Sequence, residues 1–116
     1  MEAERLDAIR TTLIDQRADL RRELSDLGAD PDRDELEFTD DLGFADRSHS
    51  TEERSRLLSV SASLRANLRE VDAAIEKIRT QRYGTCERCG QEISAERLEA
   101  IPWAALCIDC KRTEVP

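Results

Sequence analysis

The chain has 116 residues, 39% of them hydrophobic but only 3% aromatic, and 38% charged. So few large apolar groups are thin material for a broad globular core, though enough for paired helices or a small metal-stapled module. The net charge of −8 works against nonspecific binding to nucleic acid, which depends on Lys and Arg neutralising phosphates, and suits a basic protein surface as partner. No apolar run approaches the roughly 18 residues a membrane span needs, and the charged start Met1-Glu2-Ala3-Glu4-Arg5 has no signal-peptide pattern. A cytoplasmic location is expected, where a reducing environment disfavours disulfides.

From about Glu4 to Leu27, Leu6, Leu13, Leu20 and Leu27 recur every seven residues, with Ile9 and Leu24 beside them. This predicts an amphipathic helix with a narrow apolar seam. Gly28 suits its C-terminus and Pro31 blocks continuation. A second helix is predicted over about Thr51–Arg82, where Leu57, Leu64, Val71 and Ile78 repeat the seven-residue spacing, with Leu68 and Ile75 in the second seam position. Ser50 and Glu53 have capping-box spacing, and Gly84 marks the end. Two such seams can bury each other as a long antiparallel helical hairpin, a coiled coil within one chain. Pairing across two chains is the alternative. The short connection favours the intramolecular hairpin and a monomer.

Between the helices, Gly28–Ser50 carries eight acids against two arginines, a net charge of −6. Leu36, Phe38, Leu42 and Phe44 alternate with polar residues, so parts of it can dock on the hairpin. Hairpin topology puts this acidic tip loop, about residues 28–50, away from the cysteines. Asp30-Pro31-Asp32-Arg33-Asp34 resembles the start of a calcium-binding EF-hand loop, but Glu35 replaces the glycine at position six and Asp41 the glutamate at position twelve. A solvated acidic loop is the simpler reading. His49, the one histidine, is expected to be exposed.

The last segment holds all four cysteines: Cys86-Glu87-Arg88-Cys89, seventeen residues, then Cys107-Ile108-Asp109-Cys110. This C-x2-C…C-x2-C spacing signals zinc. Each two-residue gap lets a tight turn aim two sulfurs at one point, and two turns complete a tetrahedron. Gly90 can adopt a left-handed conformation that frees backbone amides for the thiolates. Four thiolates leave no open position, so one structural zinc ion is expected. A redox C-x-x-C would need a βαβ context that is absent. Ser94 is the predicted cap of a short helix over 95–99, and Ile93, Leu98, Ile101, Trp103 and Leu106 are the predicted packing. The expected fold class is mainly α: a helical hairpin over 1–82 and a small four-cysteine zinc-finger module over 83–116.

The stretch Tyr83-Gly84-Thr85-Cys86-Glu87-Arg88-Cys89-Gly90-Gln91-Glu92-Ile93 resembles the first zinc knuckle of the DksA/TraR family. Arg97-Leu98-Glu99-Ala100-Ile101-Pro102 and Leu106-Cys107-Ile108-Asp109-Cys110-Lys111 resemble its continuation. The resemblance implies a transcription regulator that binds bacterial RNA polymerase through the secondary channel, with the hairpin tip near the catalytic centre and no reading of DNA sequence. The family tip pattern D-x-x-D-x-A, counted back from Cys86 without gaps, falls on Gly43, Asp46 and Ser48. Asp46 matches the second acid; Asp40 and Asp41 are near enough to replace the first, and Arg47 and Ser48 complete the implied tip. Some family members cooperate with the alarmone ppGpp. Two positions basic in those members are Ser63 and Glu70 here, with Arg65 and Arg69 nearby, while Lys111 matches a third. The alternatives are a zinc-stabilised hairpin adaptor for another protein, favoured by the departures at Gly43, Ser63 and Glu70, and a DNA-binding zinc ribbon, which the −8 charge opposes. No nucleophile–base pair or phosphate loop is present, so no enzyme is expected.

Overall fold

The computed structural model describes residues 2–32 and 51–114. The fold is mainly helical: α1 (Ala3–Asp26), α2 (Thr51–Arg79), α3 (Ala95–Ala100) and α4 (Ile108–Glu114). The apolar stripe of α1 is the predicted seam. Leu13, Leu20 and Leu24 are buried, while Leu6, Ile9 and Leu27 are half-buried. At the end of α1, Gly28 takes φ 89°. The Ala29 N–H then donates to the Leu24 carbonyl at 2.9 Å and the Gly28 N–H to Ser25 at 3.0 Å, a Schellman turn that satisfies two terminal carbonyls.

On α2, Leu68, Val71 and Ala74 are buried, and Leu57, Leu64, Ile75 and Ile78 are half-buried. The seam is not apolar throughout. Ser61 is fully buried at a seam position, its hydroxyl donating to the Leu58 carbonyl at 3.1 Å. The helix also stops three residues before the expected Arg82. Gln81 takes φ 62°, and the Arg82 N–H donates to Lys77 at 2.8 Å and the Gln81 N–H to Ile78 at 3.3 Å. This is the same turn that closes α1, built on a residue with a Cβ. On the exposed face of α1, Arg22 pairs with Asp19.

The chain forms two compact units, one of Met1–Gln16 with Glu70–Pro116 and one of Arg17–Arg69. The first groups the opening of α1 with the close of α2; the second groups the close of α1 with the opening of α2. The two long helices are therefore antiparallel in each unit, as the seams predicted. Among the described residues, no helix is long and apolar enough to cross a membrane.

Candidate metal centre

The first cysteine pair sits in a small reverse turn. Thr85 and Glu92 form an antiparallel bridge. The Cys86 N–H donates to Gln91 at 2.8 Å, the Gly90 N–H to Cys86 at 3.0 Å and the Ile93 N–H to Gly84 at 2.8 Å. Gly90 has φ 76°. A Cβ added there would meet nothing within 4 Å, so backbone conformation rather than space demands glycine.

The second pair lies at the start of α4, with Cys107 just before the helix and Cys110 in its first turn. Three contacts draw the two pairs together. The Glu87 N–H donates to the Ala105 carbonyl at 2.9 Å, Arg97 Nε to the Leu106 carbonyl at 2.8 Å, and the Tyr83 hydroxyl to the Pro102 carbonyl at 2.7 Å. Between the pairs, the Ser94 hydroxyl accepts the Arg97 N–H at 3.2 Å and caps α3, as predicted. Cys86, Ile93, Leu98 and Ala104 form the core, with Tyr83, Ile101, Leu106, Cys107 and Cys110 packed against it. Trp103, expected in that packing, is half-buried and lines a surface cleft instead.

The four sulfurs all lie within 4.8 Å of one another, and those of Cys89 and Cys107 are 3.8 Å apart. Tetrahedral zinc at about 2.3 Å from each thiolate requires sulfur separations of about 3.8 Å. The donor set therefore fits zinc in both chemistry and spacing. Cys86 is buried, Cys107 and Cys110 are half-buried, and Cys89 is exposed.

Without a metal the cluster holds charge unevenly. The Cys89 backbone amide, helped by those of Cys107 and Arg88, brings the Cys86 thiol down to about 6. The Gln91 amide favours a Cys89 thiolate, but burial and the Cys86 and Cys107 thiols outweigh it, and the Cys89 thiol is raised. Cys110 is pushed up to about 12, first by its hydrogen bond to Cys107 and then by burial. Cys86 thus favours the thiolate while Cys89 and Cys110 hold their protons, an imbalance that a divalent cation relieves by stabilising thiolate ligands.

Beside this centre lies a cleft of about 410 Å³ whose lining includes Glu70, Glu87, Arg97, Trp103, Leu106 and Lys111. Glu87 also pairs with Lys77. Two carboxylates thus face two cations. Of the other residues singled out in the sequence, Ser63 and Arg69 are exposed on α2. Arg65 is buried and turns its guanidinium to the Asp30 carbonyl at 2.8 Å. The tip residues Asp40, Asp41, Asp46, Arg47 and Ser48, with Gly43, His49 and the predicted cap Ser50, lie outside the described residues, as does most of the EF-hand-like stretch. Sequence reasoning passed over the packing role of Tyr83 and the buried role of Arg65. The one available hint for Arg65 was its place beside the seam position occupied by Ser61.

Residues 81–115 match the prokaryotic DksA/TraR C4-type zinc finger family. An uncharacterized protein of Aquifex aeolicus is 58% identical over 45 residues, covering 39% of this chain and 31% of that protein. The RNA polymerase-binding transcription factor DksA of Haemophilus influenzae is 43% identical over 67 residues, covering 58% of this chain and 46% of that protein. The chain thus spans less than half the length of these curated relatives. In structure, transcription factor DksA2 from Pseudomonas aeruginosa superposes with a TM-score of 0.72 at 28% identity, over 98% of this chain and 85% of that one. With its cysteine cluster and its knuckle sequence, the segment 81–115 is a zinc finger of the DksA/TraR type, and the fold is similar to that of DksA2 over 98% of the chain.

Proposed function

We propose that this protein is a transcription regulator that binds bacterial RNA polymerase through its secondary channel, with the acidic segment between α1 and α2 acting near the catalytic centre. The observation that carries this reading is the structural likeness to DksA2 over 98% of the chain, joined to relatives named RNA polymerase-binding transcription factor. In this reading residues 1–82 are the arm and 83–116 the docking module. Cys86, Cys89, Cys107 and Cys110 hold one structural zinc ion, which supplies no chemistry beyond fixing the module. Asp46, with Asp40 or Asp41, is the working tip, flanked by Arg47 and Ser48. Acidic groups there would perturb the local field of a bound divalent ion. The protein acts as a monomer in the cytoplasm and reads no DNA sequence.

The cleft beside the metal centre opposes Glu70 and Glu87 to Arg97 and Lys111. This charge balance is a poor receptor for a tetraphosphate-like anion, and we take the regulator to act without ppGpp. A second reading, a zinc-stabilised adaptor for another protein, draws on the tip departure at Gly43 and on Ser63 and Glu70. Asp46→Asn separates the two. Under the polymerase reading, binding to polymerase survives and the transcriptional effect changes. Under the adaptor reading, the substitution leaves transcription as it was.

A further inference from the structure

The residues from Gly28 to Asp32 directly precede 33–50, and they are held at several points. Gly28 closes α1 and the Ala29 N–H bonds back to Leu24, with Ala29 itself buried. The Asp30 carboxylate accepts the Asp32 N–H at 2.9 Å, and the Asp32 carboxylate pairs with Arg21 at 2.7 Å. From α2, across 35 positions of sequence, Arg65 donates Nη2 to the Asp30 carbonyl at 2.8 Å. Arg65 is only 4% exposed. A long cationic side chain beside an apolar seam ordinarily reaches outward to water, because burying a guanidinium is costly. This one turns inward onto a main-chain oxygen. Ser61, four residues earlier and on the same helix face, is small and fully buried, which leaves room for it.

We infer that Arg65 is a positioning residue: it pins the chain where it leaves α1, and so sets the point from which the acidic segment departs. Its bearing on transcription rests on the polymerase reading above; the pin itself does not. A carbonyl held by a buried charged donor cannot drift without breaking that bond, which is worth more than an ordinary hydrogen bond. Arg21 is more exposed, and its pair with Asp32 is a weaker brace.

The experiment uses the full metal-loaded chain with Arg65→Met, close in length and apolar, and Arg65→Lys, which keeps a charged donor. Backbone hydrogen exchange in the isolated protein is followed at Ala29 and Asp32, with Leu20 as an internal reference. Arg65→Met is expected to speed exchange at Ala29 and Asp32 by about tenfold or more, the factor for losing a hydrogen bond to a charged donor, while Leu20 is unchanged. Polymerase affinity stays near wild type and the transcriptional effect is lost; Arg65→Lys restores both exchange and effect. Unchanged exchange in Arg65→Met overturns the pin. A parallel fall of affinity and effect, or no recovery with Arg65→Lys, shows that Arg65 only holds the fold. If wild type itself does not bind polymerase, the polymerase reading fails while the exchange result still decides the pin. Should Arg65→Met not fold, Arg65→Gln carries the same measurements.

Discussion

Replacing Gln81 by glycine should stabilise this protein. Gln81 sits at φ 62°, where a residue with a Cβ loses roughly 1–2 kcal/mol to the clash with its own carbonyl. Its backbone N–H and that of Arg82 already make both bonds of the turn, to Ile78 and Lys77, and neither depends on the side chain. The Gln81 side chain is exposed, so little packing is lost. Glycine relieves the clash but brings a more flexible unfolded chain. The net gain is therefore about 0.5–1 kcal/mol, or about 2–5 °C in melting temperature for a chain of this size. Urea and thermal denaturation of the metal-loaded protein measure it, with an unchanged urea slope expected. Arg79→Gly, inside the last helical turn, is the control and should lose about 1 kcal/mol. If Gln81→Gly is destabilised as much as that control, position 81 is helical in solution and the described end of α2 is wrong.

Three further outcomes follow from the same geometry. Leu24→Ala, at a fully buried seam position, should cost about 2–5 kcal/mol in urea denaturation, well above the cost at the half-buried Leu6. Zinc binding near neutral pH should release at least about two protons per ion, from the raised Cys89 and Cys110 thiols; calorimetry in buffers of different ionisation enthalpy reads this directly, and release of none would refute the uneven charging of the metal-free cluster. Tyr83 is the one tyrosine, so its phenol can be titrated by ultraviolet absorbance. Burial pushes it up to about 12, against the opposing pull of Arg5. Because the folded value lies above the unfolded one, the stability it contributes is complete below about pH 10 and is lost as pH rises through about 12. A titration midpoint near 10 in the folded protein would contradict this.

The helices and the cysteine centre were legible because each rests on a strict period. Leu13 and Leu20 are buried where the seven-residue spacing put them, Leu24 is buried beside that stripe, and two C-x2-C turns bring four sulfurs together. The Ser94 cap was readable from local chemistry alone. What escaped the sequence depends on tertiary context. Glycine at 84 looked like the helix stop, but Gln81 takes the left-handed position and ends α2 earlier, because the turn into the metal module sets the backbone there. Arg65 read as an ordinary basic position near Ser63, yet it is buried and reaches the Asp30 carbonyl 35 residues away, a contact no local pattern announces. Trp103 suggested core by its size, yet the compact packing of Ile93, Leu98 and Ala104 leaves it at the cleft. The tip acids could be counted only by analogy from Cys86.

Co-purification of the metal-loaded protein with core bacterial RNA polymerase, with a transcript-cleavage factor that occupies the secondary channel as competitor, tests the proposed partner. Retention on core enzyme at micromolar concentration in low salt, lost as the cleavage factor is added, is the predicted result. No retention, or retention that the competitor leaves unchanged, would contradict the account.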